Sequence, residues 1–279
     1  MTGPIVLIGC GKMGGALLEG WIGGKAGEDQ PAEIYVIEPH TPTAEALRAG
    51  PAGKFPGLQV YEQADQIDES VSPEVVVFAV KPQSLADTIG NYQRFAGPGT
   101  VFLSIAAGKQ IAFFEDGLGE GGAIVRAMPN TPAAIGRGIT VACANSNVAA
   151  NQKQICQSLL EAVGEVAWVN DEDLMDPVTA VSGSGPAYVF LMIESLAAAG
   201  VEAGLDEDLA MRLARATVSG AGELARQAGQ APAQLRKNVT SPGGTTEAAL
   251  GVLMAGDGLQ PLMNRAVEAA TVRSRELAG

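Results

Sequence analysis

The 279-residue chain contains a single histidine, His40. Ser-His and Cys-His nucleophiles and His-rich metal centres would all have to pass through that one side chain, which all but removes those chemistries, and no metal site is expected. Cysteine is equally scarce. Cys10, Cys143 and Cys156 are odd in number and form no CxxC pair, which argues against a disulfide framework and a thiolate metal site and points to a reducing cytoplasm. Positive charge is in deficit. Eighteen Lys and Arg face 31 Asp and Glu, a net charge of −13, so the overall field repels polyanions, and neither nucleic acid nor anionic lipid is expected as a partner. Any anion bound here has to be held by local structure. Long uncharged apolar runs are missing too. The first, Pro4 to Gly9, is too short for a signal-peptide core and has no basic leader, and the longest, Ala187 to Leu205, contains Glu194 and Glu202. Neither a targeting segment nor a membrane span is expected.

Glycine is what the chain has in abundance, 36 residues, about twice the ~7% of ordinary proteins. Many turns need a positive φ, or the backbone approaches something closely. With 47% hydrophobic residues, the chain has material for a core, and its length suggests about two domains. Residues 1–168 alternate β-branched runs with helical patterns: strands at Ile5–Ile8, Ile34–Ile37, Val75–Phe78, Val101–Leu103 and Ala123–Val125, and helices from about Lys12, Thr43 and Ser84. Runs at Ile139 to Cys143 and Val166 to Val169 are candidates to extend the sheet. Such alternation predicts an α/β fold with a doubly wound parallel sheet of the Rossmann type, covered on both faces because its strands are apolar throughout. Residues 169–279 read as an all-helical second domain, with helices over Asp171–Val181, Pro186–Ala203, Asp206–Ala228 and two more from Ser241. The Pro186–Ala203 helix is apolar nearly all round, more than so small a domain can enclose, so a second subunit is expected to cover it.

Gly9-Cys10-Gly11-Lys12-Met13-Gly14 matches GxGxxG directly after the first strand and at the start of a helix, the context a dinucleotide site requires. The first glycine permits the turn, the second lets the backbone approach a pyrophosphate, and the third packs helix on strand. Unpaired N–H groups and the helix dipole then supply positive potential locally. Glu38, at the end of the second strand, is placed to accept from the adenosine ribose and disfavours a 2′-phosphate, whereas His40 nearby is able to assist one. The choice between NADH and NADPH stays open. Cys10 reads as a small filler in the loop. Ala79-Val80-Lys81-Pro82 and the small residues Ala106 and Ala107 sit at the carboxyl edge of the sheet, where α/β proteins bind ligands. In Ser241-Pro242-Gly243-Gly244-Thr245-Thr246, Ser241 is read as N-cap, Pro242 as first helical residue, and the glycine amides as an open socket for a small carboxylate.

These segments, with Arg126-Ala127-Met128-Pro129-Asn130-Thr131-Pro132 and Ser182-Gly183-Ser184-Gly185-Pro186-Ala187-Tyr188, resemble the pyrroline-5-carboxylate reductases, in order and over nearly the whole chain. Lys237 stands where that family often has an acid, and Glu38 where many members have a neutral or basic residue. The resemblance implies reduction of the cyclic imine 1-pyrroline-5-carboxylate to L-proline, the last step of proline biosynthesis, with NADPH or NADH as donor. It also implies a homodimer interlocked through the helical domain, often assembled into a decamer of five dimers. It assigns the nucleotide to the glycine loop, Glu38, His40, Ala79 to Pro82, Ala106, Ala107 and Asn130. The substrate goes to Ser241, Gly243, Gly244, Thr245 and Thr246, with the Thr246 hydroxyl against the ring nitrogen. A β-hydroxyacid dehydrogenase and a non-catalytic NAD(P) sensor are the alternatives. The first would need a proton-donating lysine that the Pro186–Ala203 helix lacks.

Overall fold

The computed structural model describes residues 3–24, 31–119 and 121–278. It divides into two compact units, one running to Gly183 and taking in the chain from Thr271, the other Ser184–Ala270. The last strand does end at Trp168, but the segment after it still belongs to the first unit.

In the first unit, eight strands form one sheet in the order β3-β2-β1-β4-β5-β6-β7-β8. They are β1 (Ile5–Ile8), β2 (Ile34–Ile37), β3 (Leu58–Tyr61), β4 (Val75–Phe78), β5 (Val101–Ser104), β6 (Ala123–Met128), β7 (Gly138–Ala144) and β8 (Gly164–Trp168). Every neighbouring pair is parallel except β6 with β7. The helices of this unit are α1 (Lys12–Ile22), α2 (Thr41–Ala49), α3 (Pro51–Lys54), α4 (Pro82–Thr88), α5 (Ile111–Leu118), α6 (Ala150–Glu161) and α7 (Met175–Val178). Ile5 and Leu7 join Leu17, Trp21 and Leu159 on one side, and Val6 and Ile8 join Phe78, Phe102 and Phe114 on the other. Both faces of the central strands are therefore buried, which is why their sequences show no polar alternation. Trp21 Nε1 donates to the Leu159 carbonyl at 2.9 Å, tying α1 to α6.

The strand order reverses on either side of β1. Ile8 lies level with Ile37 of β2 and with Phe78 of β4, so Gly9, Glu38 and Ala79 emerge side by side at the switch point, where open α/β sheets bind ligands. Two expectations change in this unit. An edge strand, β3, was not anticipated: Gln59 is exposed between buried Leu58 and half-buried Val60, so it lacks the continuous apolar run of the central strands. The helix expected over Asp171–Val181 is instead a 3₁₀ turn (Glu172–Leu174), α7 and a π-helical turn (Thr179–Gly183).

The second unit holds α8 (Gly185–Glu202), α9 (Glu207–Gln227), α10 (Pro232–Asn238), α11 (Thr245–Leu253) and most of α12 (Leu259–Ala278). Asp206 caps α9 by accepting from the Asp208 and Leu209 amides at 3.0 and 3.3 Å, and Gly229, at φ +60°, follows its end. Buried Ala197 of α8 and buried Ala210 and Ala214 of α9 let these two helices approach closely. Much of the remaining apolar surface of α8 is open. Phe190 is 58% and Leu191 60% exposed, with Val189, Met192 and Leu196 also open.

Candidate nucleotide and substrate sites

Gly9 and Gly14 of the glycine loop meet the steric demands that the spacing predicts. Gly9 turns at φ +86°, and a β-carbon there would lie 2.7 Å from Val80 Cγ1. A β-carbon on Gly14 would collide with the Gly9 carbonyl, and one on Gly11 would meet open space. That open space over Gly11 is the cradle a pyrophosphate would fill. Gly11 is also the N-cap of α1, without a side-chain cap and with no acid in the first turn. The amides of Lys12, Met13 and Gly14 thus begin a helix without intrahelical partners, a local anion site within a strongly acidic chain. The residues present fit a dinucleotide.

Glu38 is buried, and its carboxylate is held from two sides: Oε2 accepts the Cys10 amide at 2.8 Å and Oε1 the His40 amide at 3.0 Å. The strand-end acid therefore braces the glycine loop as well as facing it. The His40 ring is exposed, its Nδ1 2.8 Å from Thr43 Oγ1. Burial first, and the Glu38 charge second, push the Cys10 thiol up to about 12. It stays protonated, as a filler requires and a redox group does not.

Ala79 and Val80 press on Gly9, and Lys81 starts α4 with Pro82 as its first residue. Ala106 is buried and its amide donates to Ser104 Oγ at 3.2 Å, whereas Ala107 is exposed. Asn130 is buried at the end of β6, where its Oδ1 accepts the Ile139 amide at 3.0 Å. That bond secures the start of β7 and leaves the Asn130 amide nitrogen, and a second lone pair on Oδ1, for another partner.

The second unit corrects the reading of the Ser241 turn. Ser241 is not the N-cap. Gly244 is, and α11 starts at Thr245. The Gly244 amide closes a turn onto the Ser241 carbonyl at 3.0 Å, with Gly243 at φ +70°, a type II geometry with proline and glycine at its two centres. The Gly243 amide donates to Glu247 Oε2 at 2.7 Å. Both glycine amides are thus occupied by the chain itself, and the open donors move into the first helical turn, at Thr245 and Thr246. Thr246 is half-buried and Thr245 exposed.

Three further features were given no role from the sequence. Arg126 Nη1 and the Ile111 amide both donate to Glu172 Oε1, at 2.7 and 2.9 Å. Ser274 Oγ donates to Asp176 Oδ1 at 2.6 Å. Ser182 Oγ, in the π-helical turn, is buried without a hydrogen-bond partner among the described residues. The first two pair residues far apart in the chain. For Ser182 the Ser-Gly-Ser-Gly-Pro punctuation was the only available cue.

Residues 172–277 match the family description "Pyrroline-5-carboxylate reductase dimerisation", and residues 4–108 match "NADP oxidoreductase coenzyme F420-dependent". A pyrroline-5-carboxylate reductase of Pseudomonas aeruginosa is 40% identical over 277 residues, covering 99% of this chain and 97% of the relative. One from Synechocystis is 42% identical and covers 99% of each. The chain belongs to the pyrroline-5-carboxylate reductase family. A solved reductase of the family, from Coxiella burnetii, superposes with a TM-score of 0.89 at 35% identity over the whole of both chains. The Plasmodium falciparum enzyme, solved with NADP bound, does so at 0.76 and 30% identity over 99% of this chain and 98% of that one. The uncovered apolar faces of α8 thus lie in the family's dimerisation region, and self-association explains why Phe190 and Leu191 are open in a single subunit.

Proposed function

We propose that this chain catalyses the NAD(P)H-dependent reduction of 1-pyrroline-5-carboxylate to L-proline. The observation that carries the reading is full-length similarity, at 40% identity and above, to reductases named for that imine. The glycine loop and the α11 turn support it as two anion cradles of the kind the two reactants require. The functional domains are taken as 1–168 for the nucleotide and 169–279 for substrate and dimerisation.

Bound at the glycine loop, NAD(P)H would supply the hydride for the imine carbon. The Lys12 to Gly14 amides would hold its pyrophosphate, Glu38 would accept from the adenosine ribose, Ala79 to Pro82 would face the nucleotide at the strand ends, and Ala106, Ala107 and Asn130 would border the nicotinamide. The α11 turn holds the substrate carboxylate at the amides of Thr245 and Thr246. Ser241, Gly243 and Gly244 set the shape of that turn. The Thr246 hydroxyl meets the ring nitrogen. An imine is basic enough to arrive protonated from water, so a chain with one histidine at the ribose side needs no further acid. The protein lowers the barrier chiefly by holding two reactants in near-attack geometry.

The working form is a cytoplasmic homodimer, five of which assemble as a decamer, with α8 covered by protein rather than lipid. Glu172–Glu202 is long and apolar enough to cross a membrane, but Glu194 sits in the middle of α8, where a bilayer would charge a few kcal/mol or more for it. The test of the activity is NAD(P)H oxidation by the purified protein with the imine, set against oxidation of a 3-hydroxy acid in the reverse direction. Turnover with the imine alone supports the assignment, and turnover with the hydroxy acid alone overturns it.

A further inference from the structure

The first unit contains the part of the nucleotide site that meets either a ribose 2′-hydroxyl or a 2′-phosphate, and its charges fall on one side. Glu38 ends β2 only 8% exposed, and its two backbone bonds, from Cys10 and His40, keep it at the mouth of the glycine loop. Each carboxylate oxygen retains a further acceptor position. Ribose hydroxyls donate to such positions. A phosphate monoester at neutral pH offers them mainly negative charge.

A cleft of about 590 Å³ opens beside these strand ends. Ile8, Ile37 and Val80 give it an apolar floor that suits a flat base, and Glu62, Asp65 and Glu69 stand around it. The two guanidiniums on this side are tied back to the main chain. Arg48 Nε and Nη2 hold the Val60 carbonyl at 3.3 and 3.2 Å, and Arg48 Nη1 faces Glu62 at 3.6 Å. Arg94 Nη2 holds the Ala64 and Ile67 carbonyls, each at 2.9 Å. Three carboxylates therefore line the cleft, Glu38 stands at the glycine loop next to it, and the one guanidinium on the wall, Arg94, is engaged with main-chain carbonyls; the His40 ring is the basic group nearest Glu38 in sequence.

We propose that this chain selects NADH over NADPH and that Glu38 is the specificity-determining residue. The selection rests on the reading of the glycine loop as a nucleotide site. Glu38 cannot rotate away from a 2′-phosphate without releasing the Cys10 amide, so the repulsion is built into the loop itself. A substitution here alters the loop as well as the charge, and the diagnostic quantity is the ratio of two affinities rather than either alone.

Calorimetric titration of the full-length protein, without imine, with NADH and NADPH and with ADP-ribose and 2′-phospho-ADP-ribose tests this directly. In the wild-type protein the non-phosphorylated member of each pair should bind at least about tenfold tighter, a difference of ~1.4 kcal/mol. Glu38→Ser should shrink or invert that ratio. Equal or tighter binding of the phosphorylated members by wild type overturns the proposal, as does an unchanged ratio in Glu38→Ser. If no nucleotide of either pair binds, the nucleotide-site reading itself fails and the selection with it. If Glu38→Ser does not fold, the wild-type comparison of the two pairs decides alone.

Discussion

Leu191→Asp is expected to break the dimer. Leu191 lies on α8 with 60% of its surface open. Full burial of a leucine is worth about 1.5–3 kcal/mol, so covering the remaining three-fifths contributes roughly 1–2 kcal/mol per copy. A two-fold interface contains the residue twice, which brings the loss to about 2–4 kcal/mol. An aspartate in the same place adds an unpaired carboxylate that must be desolvated or protonated, at least ~1 kcal/mol more per copy. The sum, on the order of 5 kcal/mol, weakens association by about 10³-fold or more. Light scattering on eluting protein, over a wide range of concentration, should find wild type at a multiple of 28.5 kDa and the variant at that single mass or losing its helical dichroism. Leu191→Ala should fall between the two. A Leu191→Asp protein that remains as tightly associated as wild type would show that α8 is not the covered face.

The glycine loop offers a matched pair. Gly14→Ala puts a methyl group against the Gly9 carbonyl and should destabilise the first unit by about 1–3 kcal/mol. Gly11→Ala points into open space and should leave thermal stability within ~0.5 kcal/mol of wild type while weakening NADH on the order of tenfold; equal effects on melting would contradict these roles. Thr246→Val keeps the shape of the first helical turn but removes the hydroxyl, and should cost about 1–3 kcal/mol, or about 5- to 150-fold in kcat/KM for the imine, with cofactor KM little changed. If Thr245→Val shows that loss and Thr246→Val does not, the roles of the two threonines are exchanged. The Cys10 thiol is raised from 9.0 to about 12, by burial first and by Glu38 second. Its protonated form is the one the fold favours, so its contribution to stability is present below pH 9 and lost as pH rises toward 12. A maleimide at about pH 8 should leave Cys10 unlabelled in the folded protein and label it in urea, read by mass spectrometry.

The central strands were legible because both sheet faces are covered. Ile5–Ile8, Ile34–Ile37 and Val75–Phe78 had no reason to carry polar residues, and their bounds agree with the structure. At the edge that reasoning reverses. β3 has one solvent side, so Gln59 interrupts the run, and the pattern that finds central strands passes over it. α10, only Pro232–Asn238, was too short to show a helical period. The α11 turn shows a different limit. Ser-Pro-Gly-Gly carries a good cap residue before a good first helical residue, yet Gly243 takes a positive φ and delays the helix to Thr245. Local preference for a cap at Ser241 competed with a type II turn, and the turn's own hydrogen bond prevailed. The loop around Gly11 was readable since Gly9 and Gly14 answer steric demands at fixed spacing and Gly11 leaves open space between them. The grip of Glu38 on the Cys10 amide, and the Arg126–Glu172 pair, join residues 28 and 46 positions apart, which no local pattern records.

The central claim, hydride transfer to the ring imine, is tested most directly by following the label. The purified protein is incubated with 1-pyrroline-5-carboxylate and NADH carrying deuterium at the transferable position, and the product is resolved by chiral chromatography and mass spectrometry. The account predicts L-proline with one deuterium on the ring carbon next to nitrogen and remote from the carboxylate. NADH consumption without labelled proline, or no reaction with the imine at all, would contradict it.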